Sequence, residues 1–231
     1  MNDKSISKCD VSVVIRVRNE EQWIGYAIQS LLDYLLKPEI IIVDNKSTDE
    51  SLNIVKHFQQ DPELNDKSNP QYTKINILNI DDYSPGRGIN LGVNNCNNNY
   101  ILIISSHCVL TKIDMEKHKR DLEKYVCIFG NQIPVWMGKK IKKRYLWSHF
   151  QKKEIVNMHS EMEDRYFMHN ALALYKKSTL IANPFDEHLL SKEDRYWANK
   201  TITNGSSILY DPKLEALHNY TANGNTWKGI G

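Results

Sequence analysis

The sequence predicts an α/β protein built on a mainly parallel, doubly wound sheet flanked by helices. Three observations support this class: near-continuous apolar runs, amphipathic stretches between them, and regular alternation of the two over the first 110 residues. Apolar runs rich in β-branched residues are typical of strands buried on both faces. Alternation with helices then implies right-handed βαβ units with parallel strands.

The first half of the chain supplies the regular part of this pattern. Its predicted strands are residues 11–17, 39–43, 74–80 and 100–104. Helices are predicted to begin at Asn19 and Ser47, because Gln22 and Glu50 stand three residues later as capping-box partners. The stripe that would face the sheet from the first helix is Ile24, Ile28, Leu31 and Leu35.

The second half is less regular and is predicted to extend the same sheet. Its predicted strands are residues 126–129, 171–175 and 207–210. Its predicted helices are residues 111–124 and 194–203. We therefore expect one domain over residues 1–231.

Composition excludes several classes of protein. Thirty basic and 28 acidic residues give 231 residues a net charge of +2, which argues against nucleic acid as a partner. The four cysteines are scattered without a C-x-x-C pair, so neither a zinc site nor a disulfide framework is predicted. The first ten residues contain no apolar signal-peptide region, and no run of 18 apolar residues exists. These features predict a soluble, cytoplasmic protein.

Polar segments follow the predicted strands of the first half. In doubly wound sheets, ligands bind beyond the carboxyl ends of the strands. The segments at these ends are Arg16–Asn19, Asp44–Asn45, Asp81–Tyr83 and Ser105–His107. The sequence therefore predicts a polar crevice at this edge.

Several of these segments belong to a longer series of motifs. In chain order the series reads VVI with RNE, IIVDN with STD, GRxxNxG from Gly86, SxHC from Ser105, FDExL from Phe185, and EDRxWA from Glu193. The series resembles family 2 glycosyltransferases, over about residues 11–220, and is most similar to a rhamnosyltransferase-like branch. The resemblance implies a GT-A fold, with a nucleotide-binding half near residues 10–110 and an acceptor-side half near 111–220.

The resemblance also implies which residues contact the nucleotide-sugar donor. Asp44 would accept hydrogen bonds from the base or ribose, and the Arg87 fork would grip diphosphate oxygens between two flanking glycines. The alternatives are a loop carboxylate that caps the next helix and a solvated arginine. The complete set of expected donor-binding residues is Arg16, Arg18, Glu20, Asp44, Arg87, Asn90 and Ser105.

The metal motif of the family is replaced in this chain. Where members usually have Asp-x-Asp, this sequence has Ser105-Ser106-His107, and His218 matches a late histidine position. Imidazole suits Mn²⁺ better than Mg²⁺, so a divalent cation held by His107 and His218 is one interpretation. A metal-independent site is the other, in which His107 donates directly to the diphosphate.

Glu193 and Asp194 are the expected catalytic carboxylates. Inverting transfer needs a base for the proton of the acceptor hydroxyl, and the resemblance places that base at Asp194. The alternative is structural, since Ser191 and Asp194 also fit a capping box.

Residues 136–153 are an unusual basic segment. From Lys139 to Lys153 there are seven lysines and arginines, no acidic residue, and interleaved aromatic residues. This pattern is typical of an amphipathic helix at an anionic membrane surface, and it would also suit a lipid-diphosphate acceptor. A nucleic-acid surface and an ordinary solvated face are the alternatives.

Taken with the resemblance, these residues imply an inverting glycosyltransferase of bacterial surface polysaccharide assembly. The basic segment adds the expectation of a peripheral position at the inner membrane face. Its donor would be a nucleotide-diphosphate sugar and its acceptor a glycan or a lipid-linked glycan. Two other classes stay open: a sugar-nucleotide-binding scaffold without activity, and a nucleotidyltransferase. The second lacks its Gly-rich phosphate loop, because Arg16-Val17-Arg18-Asn19 follows the first strand.

Overall fold

The structure is a computed structural model that describes residues 10–69 and 72–228. The strands in these ranges are β1 (Val11–Val17), β2 (Glu39–Asp44), β3 (Lys74–Asn79), β4 (Tyr100–Ser105), β5 (Cys108–Lys112), β6 (Cys127–Trp136), β7 (Lys139–Lys140), β8 (Ile155–Val156), β9 (His159–Ser160), β10 (Arg165–Tyr166), β11 (Leu172–Lys176) and β12 (Ile208–Asn219). The α-helices are α1 (Ile24–Tyr34), α2 (Ser51–Gln60), α3 (Pro62–Asn65), α4 (Pro85–Asn94), α5 (Met115–Asp121), α6 (Lys177–Ala182) and α7 (Glu193–Thr203). Two 3₁₀ helices cover Tyr145–His149 and Asn225–Lys228.

One mixed sheet runs through both halves of the described chain. Its strand order is β3-β2-β1-β4-β11-β6-β12-β5, with β7 beside β6 and β8 beside β12. Strands β1 to β4 are mutually parallel where they pair, as the sequence predicts. Strand β11 then enters antiparallel between β4 and β6. The start of β11 therefore lies at the edge where β1 and β4 end.

Both faces of the sheet are covered, which makes it doubly wound. Neighbouring residues of one strand, such as Val13 and Val14 of β1, belong to two different apolar cores. Helices α1 and α2 pack on one core, and α4, α6 and α7 on the other. The predicted stripe of α1 is buried as expected. Burial on both faces explains why these strands read as unbroken apolar runs.

The two predicted capping boxes of the first half are wrong. Helix α1 begins at Ile24 and α2 at Ser51, and neither has a side-chain cap. Instead, the Asn19 side-chain oxygen accepts from the Thr48 backbone N–H at 2.8 Å, and Ser47 Oγ accepts from Asn19 N–H at 3.0 Å. Because β1 and β2 are neighbours, their loops meet, and these side chains join the loops.

Three predictions in the second half also need correction. Residues 111 and 112, where a helix is predicted to begin, belong to β5 because that strand pairs with β12, and the helix α5 begins at Met115. Strand β12 continues to Asn219, well beyond the predicted end at residue 210. Residues 136–153 contain no α-helix: a hairpin is followed by a 3₁₀ turn. The backbone reverses at Met137 and Gly138, both with positive φ, and this excludes a helix there.

Among the described residues, no helix combines the length and the apolar character needed to cross a bilayer. Cys96, Cys108 and Cys127 are buried free thiols, while Cys9 lies outside the described residues.

Candidate functional site

The ends of β1 and β4 meet the start of α7. Arg16 on β1 stands beside Ser105 on β4 in the strand register. The Arg16 guanidinium donates to the Pro85 carbonyl and to the Glu193 carboxylate, each at 3.1 Å. Glu193 is buried, so a largely desolvated ion pair joins the first strand to the acidic start of α7.

A row of polar side chains extends from this edge to the end of β12. Glu20 Oε1 lies 3.3 Å from Nδ1 of His107. Nε2 of His107 lies 3.0 Å from Nε2 of His218, whose Nδ1 lies 3.0 Å from Oε1 of Gln132. All four side chains are buried. The structure thus brings together both histidines that the sequence singled out.

The two facing imidazoles suit part of a metal site. Burial, with His107 and His169 nearby, holds the pKa of His218 well below its ordinary value, so this ring is neutral. Neutral imidazole is the form that binds metals, and two nitrogens on one tetrahedral ion stand roughly 3.4 Å apart. No group of three or more metal-binding side chains occurs in residues 10–69 and 72–228. A cation here would therefore need further ligands from the bound nucleotide or water.

Glu193 and Asp194 have opposite electrostatic environments. Burial raises the pKa of Glu193, and the neighbouring Asp194 charge adds to this effect against the opposing pull of Arg16. Burial acts in the same direction on Asp194, but Arg195, His169 and the backbone N–H of Asn170 outweigh it and lower its pKa. Asp194 accepts from Arg195 at 3.0 Å and from Asn170 N–H at 3.1 Å. Two carboxylates whose pKa values are pushed apart by their surroundings are typical of acid–base sites.

The alternative role of Asp194 as a capping residue is not observed. Helix α7 has no side-chain cap, and its N-cap residue, Lys192, is left-handed with φ of 60°. Both oxygens of Asp194 are used within the site instead.

Two predicted donor residues lie near this edge. Asp44 ends β2 beside Val17 of β1 and is buried. Its two oxygens accept weakly from Ser47 N–H, at 3.3 and 3.2 Å. Asp44 therefore contacts the loop that leads to α2, and its contact with a nucleotide stays a prediction. Arg18 is exposed and has no ion-pair partner in the described chain, so its charge is open to a ligand.

Arg87 and Asn90 lie on α4 and contact the loop before α7. Arg87 pairs with Asp82 and, at 3.3 Å, with Glu187. Asn90 donates to the Phe185 carbonyl and to Glu187, both at 2.9 Å. These bonds hold the FDExL segment against α4, and their donor roles stay predictions.

The glycines beside Arg87 serve protein packing. A Cβ on Gly86 would lie 2.3 Å from the Asp186 carbonyl oxygen, and one on Gly88 would lie 3.0 Å from the Tyr83 ring. The expectation that they leave room for a ligand is corrected, because protein atoms fill that space.

The segment Tyr220–Trp227 covers the histidines. Thr221 donates to Glu20 at 3.2 Å, and Asn223 donates to the Asn19 carbonyl at 2.7 Å. The Trp227 ring lies 5.2 Å from the Trp147 ring. Several buried polar atoms in or beneath this cover lack a hydrogen-bond partner within the described residues: Glu20 Oε2, His169 Nδ1 and Trp227 Nε1. Buried polar atoms of this kind normally have a partner, such as an ordered water, an ion or a ligand.

Sequence reasoning missed His169 and Gln132. His169 is buried, and burial followed by the Arg195 charge lowers its pKa to about 3. Its ring lies 6.1 Å from that of His218. The available signal was a polar His169-Asn170 pair just before a predicted strand. It became meaningful once β11 was known to run antiparallel, with its start at the site.

The chain matches a known protein family. The model of the family "Glycosyl transferase family 2" matches residues 12–182. The chain belongs to glycosyltransferase family 2. The O-antigen chain rhamnosyltransferase RfbN of Salmonella typhimurium is 26% identical over 198 residues, which cover 79% of this chain and 58% of RfbN.

Solved structures support the GT-A-like fold of this family 2 chain. S. aureus TarS (residues 1–349), solved with UDP-GlcNAc, has a TM-score of 0.68 at 18% identity, covering 94% of this chain and 60% of TarS. The mannosyltransferase PcManGT of Pyrobaculum calidifontis, solved with GDP-Man and Mn²⁺, has a TM-score of 0.67 at 13% identity, covering 96% and 60%. The chain thus spans about three fifths of the length of these proteins.

Proposed function

We propose that this chain is an inverting glycosyltransferase that moves a sugar from a nucleoside diphosphate to a hydroxyl group of a glycan or lipid-linked acceptor. Family membership supports the reaction class, and the likeness to RfbN supports a role in surface polysaccharide assembly. The main structural support for this proposal is the buried Glu193–Asp194 pair. Glu193 is joined to Arg16 at the edge that also holds both histidines.

In the proposed reaction, the acceptor oxygen bonds to the anomeric carbon as that carbon's bond to the diphosphate oxygen breaks. The hydroxyl proton passes to a carboxylate of the Glu193–Asp194 pair, and the anomeric configuration inverts. The family resemblance implies Asp194 as this base. Burial raises the pKa of Glu193 while Arg195 and His169 lower that of Asp194, so Glu193 is the alternative candidate for the base. The site needs no covalent intermediate, and positioning supplies much of the rate.

The leaving diphosphate needs positive charge. Arg18 is an unpaired cation near the crevice, and Arg16 stands beside Ser105. His107 and His218 would hold a divalent cation, Mn²⁺ in preference to Mg²⁺, whose charge would offset that of the diphosphate. Without a cation, His107 and Arg87 would contact the diphosphate directly. Asp44 and Glu20 complete the donor half, residues 10–110, and residues 111–220 form the acceptor half.

A thermal-shift screen of nucleoside diphosphates, with and without Mn²⁺, tests donor binding. A ligand at 100 times its Kd stabilises the folded state by about 2.7 kcal/mol. Incubation with the stabilising nucleotide's sugar conjugates then tests turnover. Binding without transfer or donor hydrolysis would favour the sugar-nucleotide-binding scaffold, which the missing Asp-x-Asp pair makes the second candidate. No stabilisation by any nucleotide would contradict both.

A further inference from the structure

The hairpin of β6 and β7 carries an exposed apolar tip. Its two-residue turn, Met137–Gly138, has φ angles of 46° and 73°, which match the turn type that closes tight hairpins. Trp136 is 47% exposed and Met137 79% exposed. Ile141 and Tyr145, further along the segment, are 37% and 69% exposed. We call residues 136–145 the hairpin tip.

Four exposed cations surround these apolar side chains: Lys139, Lys140, Lys142 and Arg144. None of them forms an ion pair within the described part of the chain, whereas lysines elsewhere, such as Lys46 and Lys176, pair with carboxylates. The nearest acidic residue after the tip is Glu154. The hairpin tip is therefore a positive surface without internal neutralisation.

From this combination we infer that the hairpin tip docks on an anionic lipid surface, which would bring a lipid-linked acceptor to the site. This inference rests on the proposed function. Tryptophan, tyrosine and cations together suit the boundary between headgroups and acyl chains. Lys152 and Lys153, which also lack acidic partners among the described residues, line an adjacent cavity of about 650 Å³ with Lys143.

The hairpin tip adjoins the candidate site. Pro134 pairs with His218 in the register of β6 and β12, and the Tyr220 N–H donates to the Val135 carbonyl at 2.8 Å. Trp136 follows two residues after Pro134, roughly 7 Å along the strand. Beyond the tip, Trp147 is buried with its ring 4.7 Å from that of His218. A glycan on a lipid beneath the tip would therefore be close to the histidine pair.

The test is sedimentation of the full chain with vesicles of phosphatidylcholine alone or mixed with phosphatidylglycerol, at low and high salt. We expect binding to the anionic vesicles that high salt weakens. Each cation removed should weaken binding about fivefold, so Lys139→Gln, Lys140→Gln and Lys142→Gln together should weaken it about a hundredfold. Trp136→Ser with Met137→Ser should weaken binding at both salt concentrations. The matched control removes three exposed lysines elsewhere, by Lys56→Gln, Lys67→Gln and Lys200→Gln, and should bind as the parent does.

Equal, negligible binding to both vesicle types would overturn the inference. Equal losses of vesicle binding in the hairpin-tip variants and in the control variant would overturn it too. Binding of the hairpin tip to an RNA or DNA oligonucleotide, with no vesicle binding, would also overturn it. Thermal shifts with the nucleoside diphosphate are measured on the same proteins. If the protein does not bind vesicles but the nucleoside diphosphate still raises its melting temperature, the inference fails and the proposed function stands. The two failures are therefore distinguishable.

Discussion

The Nε2 atoms of His107 and His218 lie 3.0 Å apart, although 111 positions separate the residues in the chain. By the family resemblance, His107 and Ser105 occupy the two Asp-x-Asp positions, and His218 matches a late histidine position. Metal-binding measurements can therefore test whether these two histidines replace the metal motif of the family.

We expect divalent cations to bind weakly to the free protein, because two imidazoles without a carboxylate form a poor site for Mg²⁺. With nucleoside diphosphate present, Mn²⁺ should bind better than Mg²⁺, since phosphate oxygens complete the coordination. His107→Ala should weaken the Mn²⁺ affinity by at least about tenfold. Calorimetric titrations measure these affinities, with the exposed His57→Ala on α2 as the control. Tight Mg²⁺ binding to the free protein would contradict the histidine site. Nucleotide affinity unchanged by EDTA and by His107→Ala would indicate a metal-free site.

Glu193→Gln and Asp194→Asn form a matched pair of variants that identifies the base. Each amide keeps the shape of its carboxylate, so both proteins should fold and bind nucleotide. Removal of the base should lower the transfer rate by about 10²–10⁴. The pH–rate profile distinguishes the two residues, because only replacement of the true base should remove the fall in rate at acidic pH. Near-full activity in Asp194→Asn would reject Asp194, and near-full activity in both variants would reject the carboxylate pair.

Acid should destabilise the fold through Asp211. Lys117 lies 2.7 Å and His118 3.2 Å from its buried carboxylate. Burial alone would raise the pKa of Asp211, but these partners outweigh it and hold the pKa below its ordinary value. Its stabilisation is therefore complete above the ordinary aspartate pKa of about 4 and is lost as the pH falls toward the lower folded value.

Asp211→Asn should lower the free energy of unfolding at neutral pH by about 1.5–3 kcal/mol, the range for a hydrogen bond to a charged group. The difference from the parent should shrink in acid. Urea unfolding across pH measures both effects. The fully exposed Asp164 gives the control, since Asp164→Asn should change little. A loss at Asp211 that does not vary with pH would contradict the assignment.

Gly130 on β6 should tolerate no side chain. A Cβ there would lie 2.4 Å from the Leu214 carbonyl oxygen and 2.6 Å from Leu172 Cδ2. We expect Gly130→Ala to lower the free energy of unfolding by roughly 1–3 kcal/mol through overpacking. Gly25→Ala on α1 is the control, because its new Cβ would meet one side-chain methyl group, Cγ2 of Ile54, at 3.3 Å and no backbone atom. Equal denaturation midpoints for Gly130→Ala and the parent would refute the packing argument.

The candidate site could be predicted in part. Asp44 and His107 follow predicted strands and Arg16 lies at the end of one, and the rule that such ends share an edge places them together. The pairing of Arg16 with Glu193 across 177 positions has no local signature. The same holds for His169, whose place depends on the direction of β11. Arg87 and Asn90 show the converse, because their motif is plain in the sequence while their observed partners are the protein's own Asp82, Phe185 and Glu187.

The sequence by itself determined the doubly wound first half and the polar edge of its sheet. It could do so because burial on two faces leaves an unbroken apolar run, and burial of one helix face leaves a stripe such as Ile24 and Ile28; both are short-range patterns. Tertiary structure alone decided that β11 enters antiparallel, that β12 carries His218 to His107, and that the basic segment is a hairpin rather than a helix. Those outcomes depend on strand order and on the turn at Met137–Gly138, where contacts between distant residues and backbone reversal outweigh local pattern.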